Sequence, residues 1–140
     1  MITKGDDFPI HQTSSPIAEV GSERNFYDRY FFNGYNDDGS IFFGAAFCVY
    51  PNLNVKDASF IFVSEGIQHN FRYSDVLDYE RMETSVGSFK IEIIKPLKEI
   101  RITLNDEEKD INVDITFSGR FEPMEEPRTV SYTHLTLPTI

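Results

Sequence analysis

From Phe89 to Gly119 polar and apolar residues change places almost one for one. Ile111, Val113, Ile115 and Phe117 alternate with Asn112, Asp114, Thr116 and Ser118. Ile100, Ile102 and Leu104 alternate with Arg101 and Thr103, and Phe89, Ile91 and Ile93 with Lys90 and Glu92. Successive side chains of an extended strand leave opposite faces, so a period of two separates an oily face from a wet one. A helix built on the same residues would turn half of the polar ones into its core. The pattern is that of half-buried antiparallel strands. Pro96 and the polar run from Asn105 to Asp110 leave only short connections between them, too short for parallel crossovers.

Upstream the same grammar continues with more aromatic residues. Asn25–Asn33, Ile41–Tyr50, Ala58–Ser64, Ile67–Tyr73 and Arg81–Val86 read as strands. They are separated by the turn formers of Asn33–Ser40, by Pro51–Asn54, by the tight Glu65-Gly66 connection and by Gly87-Ser88. Ser74–Tyr79 reads equally as a loop or a helical turn. The early strands are apolar on both faces, as in Phe31-Phe32, Phe42-Phe43 and Phe60-Ile61-Phe62-Val63. They need cover on both sides, from the N-terminal arm, a ligand or a second domain.

The expected architecture is all-β, an antiparallel up-and-down meander of about eight strands forming a barrel or a strongly curled sheet. A barrel of that size encloses packed side chains or one small apolar ligand. A bent sheet packed on a second copy is the other solution. Residues 24–128 form the β domain, and residues 1–23 an irregular arm. Pro9 and Pro16 bar a helix in that arm, while Phe8, Ile10 and Ile17 can anchor it across a sheet end.

Charge narrows the partners. With 13 Lys and Arg against 23 Asp and Glu, the net charge is -10, which disfavours nucleic acid and anionic lipid. No segment has the length and apolarity of a membrane span, and the first residues lack a secretory apolar core, which points to the cytoplasm. Cys48 is the single cysteine; it allows no internal disulfide and reads as a packing residue. No phosphate-cradling loop, nucleophile elbow or dinucleotide fingerprint is present, so no cofactor is expected. Asp106-Glu107-Glu108 with Asp110 lacks the spacing of a calcium loop and reads as a solvated hairpin tip, leaving no expected metal site.

Asp28 and Arg29 are neighbours on one strand, so one of them points inward, where a charge survives only with a partner. The inward member is either a structural ion pair or the polar anchor of an apolar pocket. Tyr27, Arg29, Tyr30, Phe32 and Tyr50 are the candidate ligand-lining residues, with Tyr35 and Tyr73 as further aromatics. His69 has no second histidine near it in sequence and reads as a surface residue.

The segment Asp28-Arg29-Tyr30-Phe31-Phe32-Asn33-Gly34, followed by Asp37-Asp38-Gly39-Ser40 and Phe42-Phe43-Gly44, resembles the opening of the carotenoid 1,2-hydratase (hydroxyneurosporene synthase) and AttH-like superfamily. Asp28 matches the acid of that motif, Tyr30 its second aromatic, Phe31-Phe32 its Tyr-Phe pair and Gly34 its glycine. Arg29 stands where the family usually has Trp. The resemblance implies the first of two tandem lipocalin-like barrels, with the second barrel as its missing partner. It also implies an isoprenoid- or lipid-like ligand, and in the whole protein a hydratase or isomerase. Such chemistry needs a protonating acid inside an apolar cavity, and Asp28 is the candidate. A non-catalytic β domain packed on the missing barrel is the alternative. Residues 130–140, Val-Ser-Tyr-Thr-His-Leu-Thr-Leu-Pro-Thr-Ile, resemble the translated read-through of a sequencing-library adapter, as found in proteins assembled from environmental DNA. No charged residue follows Arg128, so 129–140 is expected to be a non-native tail on a truncated chain.

Overall fold

The computed structural model describes residues 2–9, 21–78, 80 and 82–125. The strands are β1 (Asp28–Tyr35), β2 (Ile41–Tyr50), β3 (Val55–Ser64), β4 (Ile67–Val76), β5 (Ser85–Val86), β6 (Phe89–Lys95), β7 (Glu99–Asp106) and β8 (Ile111–Ser118). One 3-10 turn, Lys4–Asp7, precedes them. No α-helix occurs among the described residues, and none is long and apolar enough to cross a membrane.

The chain is an antiparallel meander, but it does not form one continuous sheet. β1-β2-β3-β4 make one four-stranded sheet and β5-β6-β7-β8 a second, each in chain order. Pairing stops between β4 and β5, and β8 is not paired with β1, so each sheet stays open instead of closing into a barrel. The β3–β4 ladder runs one step past Val76, where Leu77 donates its N–H to the Asn54 carbonyl (3.1 Å), and the next strand, expected over Arg81–Val86, is only Ser85–Val86. The ambiguous Ser74–Val76 stretch is instead the end of β4, opposite Val55–Asp57.

Turn chemistry fixes the register. Glu65 and Gly66 have φ of 52° and 76°, the two positive values a two-residue I′ hairpin requires. From that turn, Phe62 faces His69, Phe60 faces Phe71 and Ala58 faces Tyr73. In the second sheet Phe89, Leu104 and Val113 share one row, and Ile91, Ile102 and Ile115 the next.

The inner faces of the two sheets share a single core. Phe47, Phe60 and Val49 come from the first sheet, and Phe89, Ile91, Ile102 and Leu104 from the second, all essentially inaccessible to solvent. Each contributes about 1.5–3 kcal/mol by leaving water. Phe117 of β8 bridges to the first sheet, with ring centroids 5.0 Å from Phe32 and 6.1 Å from Phe43.

At another point the sheets are tied by polar groups. Tyr73 of β4 donates its hydroxyl to Asp106 Oδ2 (2.6 Å), and Lys109 Nζ donates to the same oxygen (2.7 Å). The Lys109 ammonium also lies 4.2 Å from the centre of the Tyr73 ring. Only Glu107, Glu108 and Asp110 of the acidic run are solvated as expected; Asp106 is buried. Beneath the Tyr73 ring sits Gly87 (φ 55°), where a Cβ would come within 2.7 Å of Tyr73 Cδ1.

Candidate functional site

The first residue of β1, Asp28, is only 4% exposed. It lies on the inner face, in a row that runs Asp28, Val49, Lys56 and Asp75 across the first sheet. Lys56 is buried as well, and its ammonium reaches Glu83 at 3.8 Å. This end of the core is therefore charged, whereas its middle is hydrocarbon.

The N-terminal turn is strapped over that end. Tyr30 donates its hydroxyl to the Asp7 carbonyl (2.5 Å), and the Asp7 carboxylate accepts from the backbone N–H of Leu97 in the β6–β7 turn. One residue of the strap thus touches both sheets. Burial pushes the Tyr30 phenol well above its ordinary range, with the nearby Asp28 and Asp7 charges adding to the effect. The hydroxyl therefore keeps its proton and stays a donor to Asp7 across the physiological range.

Between strap and strand is a recess of about 70 Å³. Phe8, Pro9, Phe47 and Val49 supply its apolar walls; Asp6, Asp28 and Tyr30 bring polar atoms to it, and Arg29 borders it. That volume holds a handful of waters and falls well short of the roughly 300–1,000 Å³ of sites for drug-sized ligands. Such a recess can seat a small molecule, or the end of a larger one, with its polar group at a buried carboxylate.

Strand alternation divides the residues singled out from the sequence. Asp28, Tyr30 and Phe32 share the inner face. Tyr30 and Phe32 stack with centroids 6.2 Å apart, but Phe32 packs into the core against Phe117 and is not part of the recess lining. Tyr27, Arg29 and Tyr50 stand on the opposite face. There the Arg29 guanidinium lies between the Tyr27 and Phe31 rings, 5.9 and 5.8 Å from their centres, and Tyr27 meets Tyr50 at 5.8 Å. Burial, then the charge of Asp57, pushes the Cys48 thiol on this face upward, the opposite of what a reactive thiolate needs. Tyr50 is pushed up to about 12, chiefly by burial.

Tyr35 is exposed, Tyr73 belongs to the inter-sheet tie, and His69 faces solvent. Among the described residues no group of three or more His, Cys, Asp or Glu is arranged to hold a metal. Sequence reasoning missed Asp6, Asp7, Phe47 and Val49 as neighbours of Asp28; the one available signal was Phe8, an aromatic anchor in a polar arm. The other expected anchors, Ile10 and Ile17, and the tail from 129 onward lie outside the described residues.

The profile of a family of unknown function, DUF8625, matches residues 2–137. No curated protein and no solved structure matches the chain.

Proposed function

Since the chain belongs to DUF8625, a family of unknown function, we propose its role from the recess itself: the domain binds a small, mainly apolar molecule whose polar end is anchored by Asp28 beneath the N-terminal strap. The observation that carries this reading is a carboxylate 4% exposed at the edge of a recess walled by Phe8, Pro9, Phe47 and Val49. A carboxylate offers about four lone-pair sites, so Asp28 can hold its protein partners and still accept from a ligand. Removing one partner of such a pair leaves the other buried and unsatisfied, which costs about 1–3 kcal/mol.

The likeness of residues 28–44 to the hydratase and AttH-like opening supports an apolar ligand. The recess limits how much of it is enclosed. An isoprenoid or lipid chain would place only its end there, because the space between the sheets is filled by Phe47, Phe60, Phe89 and Ile102.

A panel of alcohols and amines of about four to six heavy atoms, with ketones as controls that have no proton to donate to a carboxylate, titrated into labelled protein, tests this. The expected result is that one class moves the amide resonances of residues 28–30 and 47–49, with affinity falling about tenfold in Asp28→Asn. No movement at millimolar concentration, or equal binding by the variant, overturns the proposal.

A further inference from the structure

The outer face of the first sheet has no counterpart among the described residues. Phe31, Tyr35 and Phe42 are 61%, 76% and 41% exposed there, and Ile61 and Val63 lie beside them. The register places these side chains in adjoining rows: Phe31 beside Ala46 and Ser59, Gly44 beside Ile61, and Tyr35 beside Phe42 and Val63. An aromatic ridge along β1 therefore borders a low floor of Gly44, Ala46 and Ser59. In charge the face also departs from the rest of the chain. The charged residues that its strands turn outward are Arg29, Asp57 and Arg72, a balance of +1 by that count, on a chain of -10.

We propose that this face is the interface between two copies of the chain, packed sheet on sheet about a two-fold axis. Three observations select a second copy. Two chains of -10 repel one another, and they approach with least repulsion where acids are scarce. The surface carries both a ridge and a trough, so it can complement itself as an isologous contact must. Its size also fits: four strands about 4.8 Å apart and eight to ten residues long at about 3.3 Å each give a flat footprint near 600 Å². Side chains standing on that footprint bring it to the roughly 800 Å² per partner of a stable interface. The inference is independent of the recess, which lies at one end of the opposite face.

Sedimentation velocity of the full chain from about 1 to 200 μM tests it. The expected result is a reversible dimer that tightens as salt is raised, because screening removes the repulsion between acidic chains while leaving apolar burial intact. Tyr35→Glu should be monomeric at every concentration, and its high exposure means the core is untouched. Phe42→Ser is a second variant with the same expectation, and circular dichroism confirms that each is folded. Thr116→Asp, on the outer face of the second sheet, should dimerise like the parent. A chain monomeric at 200 μM overturns the proposal, as does a dimer that survives both first-sheet variants or dissociates with added salt. A monomer whose first-sheet amides resist exchange would assign that face to the chain's own remaining residues and equally overturn it.

Discussion

On the outer face of the second sheet, Lys90 meets Glu92 at 2.7 Å and Arg101 grips Asp114 through two bonds of 2.8 and 2.6 Å. On the outer face of the first, positions equally far from the core carry Phe31, Tyr35 and Phe42. The two sheets have the same number of strands in the same order, and the inner faces of both supply the apolar core. Their ionisable groups respond oppositely. Hydrogen bonds and the charges of Lys90 and Arg101 hold the Glu92 and Asp114 carboxyls below their usual range, whereas burial pushes Asp57 of the first sheet above it. One sheet is finished for water on its outside; the other is built like a surface that expects to be covered.

The sharpest way to break this contrast is to truncate one phenylalanine from each side of it. Phe89→Ala empties a fully enclosed position and should lower the unfolding free energy by about 3–5 kcal/mol. Phe31→Ala, at concentrations where the chain is monomeric, should change it by no more than about 0.5 kcal/mol. Urea titrations measure both. Comparable losses would mean that the outer face of the first sheet is already buried within a single chain.

Next in size is the tie between the sheets. Tyr73→Phe removes the hydroxyl that reaches Asp106 and should cost about 1–2 kcal/mol, since the bond is to an ionised group but only half-buried. Its pH dependence has a definite sign. Lys109 and then Tyr73, by hydrogen bonding, hold the Asp106 carboxyl below its ordinary range. The stabilisation is therefore complete above the unfolded value of about 3.9 and disappears as pH falls through the lower folded value. The gap between parent and Asp106→Asn, followed by thermal melts from pH 7 to pH 2, should narrow in that acid window. A gap that widens on acidification would reverse the assignment.

Gly87→Ala attacks the same tie from below. The substitution meets a backbone at φ 55° and a Tyr73 ring carbon 2.7 Å from the new methyl, for an expected loss of about 1–2 kcal/mol. In a Tyr73→Ala background the steric part vanishes and only the backbone part remains, so the two losses should be clearly sub-additive. Simple additivity would show that Gly87 serves its turn alone.

How much of this was legible follows from the same contrast. In β6, β7 and β8 one face is wet, so alternation named the inward residues Phe89, Ile91, Ile102 and Leu104 directly. In β1 and β2 both faces are apolar; the strands were readable there from β-branched and aromatic content, but the direction of a given side chain was not. Asp28 and Arg29 were expected to part, and they do, yet Tyr27 and Tyr50 were grouped with Tyr30 although a single residue of offset sends them outward. The division into two sheets was hidden because it depends on where pairing fails beyond Leu77, a tertiary outcome that no single residue in the sequence marks. The recess was hidden for a related reason: Asp7 is joined to Leu97, ninety positions away, and no local pattern announces such a contact.

The smallest expected effect completes the comparison. Arg101 and Asp114 form the best-aligned ion pair on the second sheet, but both are about half exposed, so ordering two long side chains and screening by salt offset most of the attraction. Arg101→Ala or Asp114→Ala should move the thermal midpoint by only about 2 °C or less, with the difference shrinking further in high salt. Solubility is where this pair should register. Without it, the outer face of a sheet on which Ile94 is already half exposed carries less charge, and the second sheet begins to resemble the first. Concentration-dependent association in Arg101→Ala but not in the parent at low micromolar concentration would show that these charges guard a surface more than they stabilise a fold. A drop of ten degrees with no change in association would place their role in the fold instead.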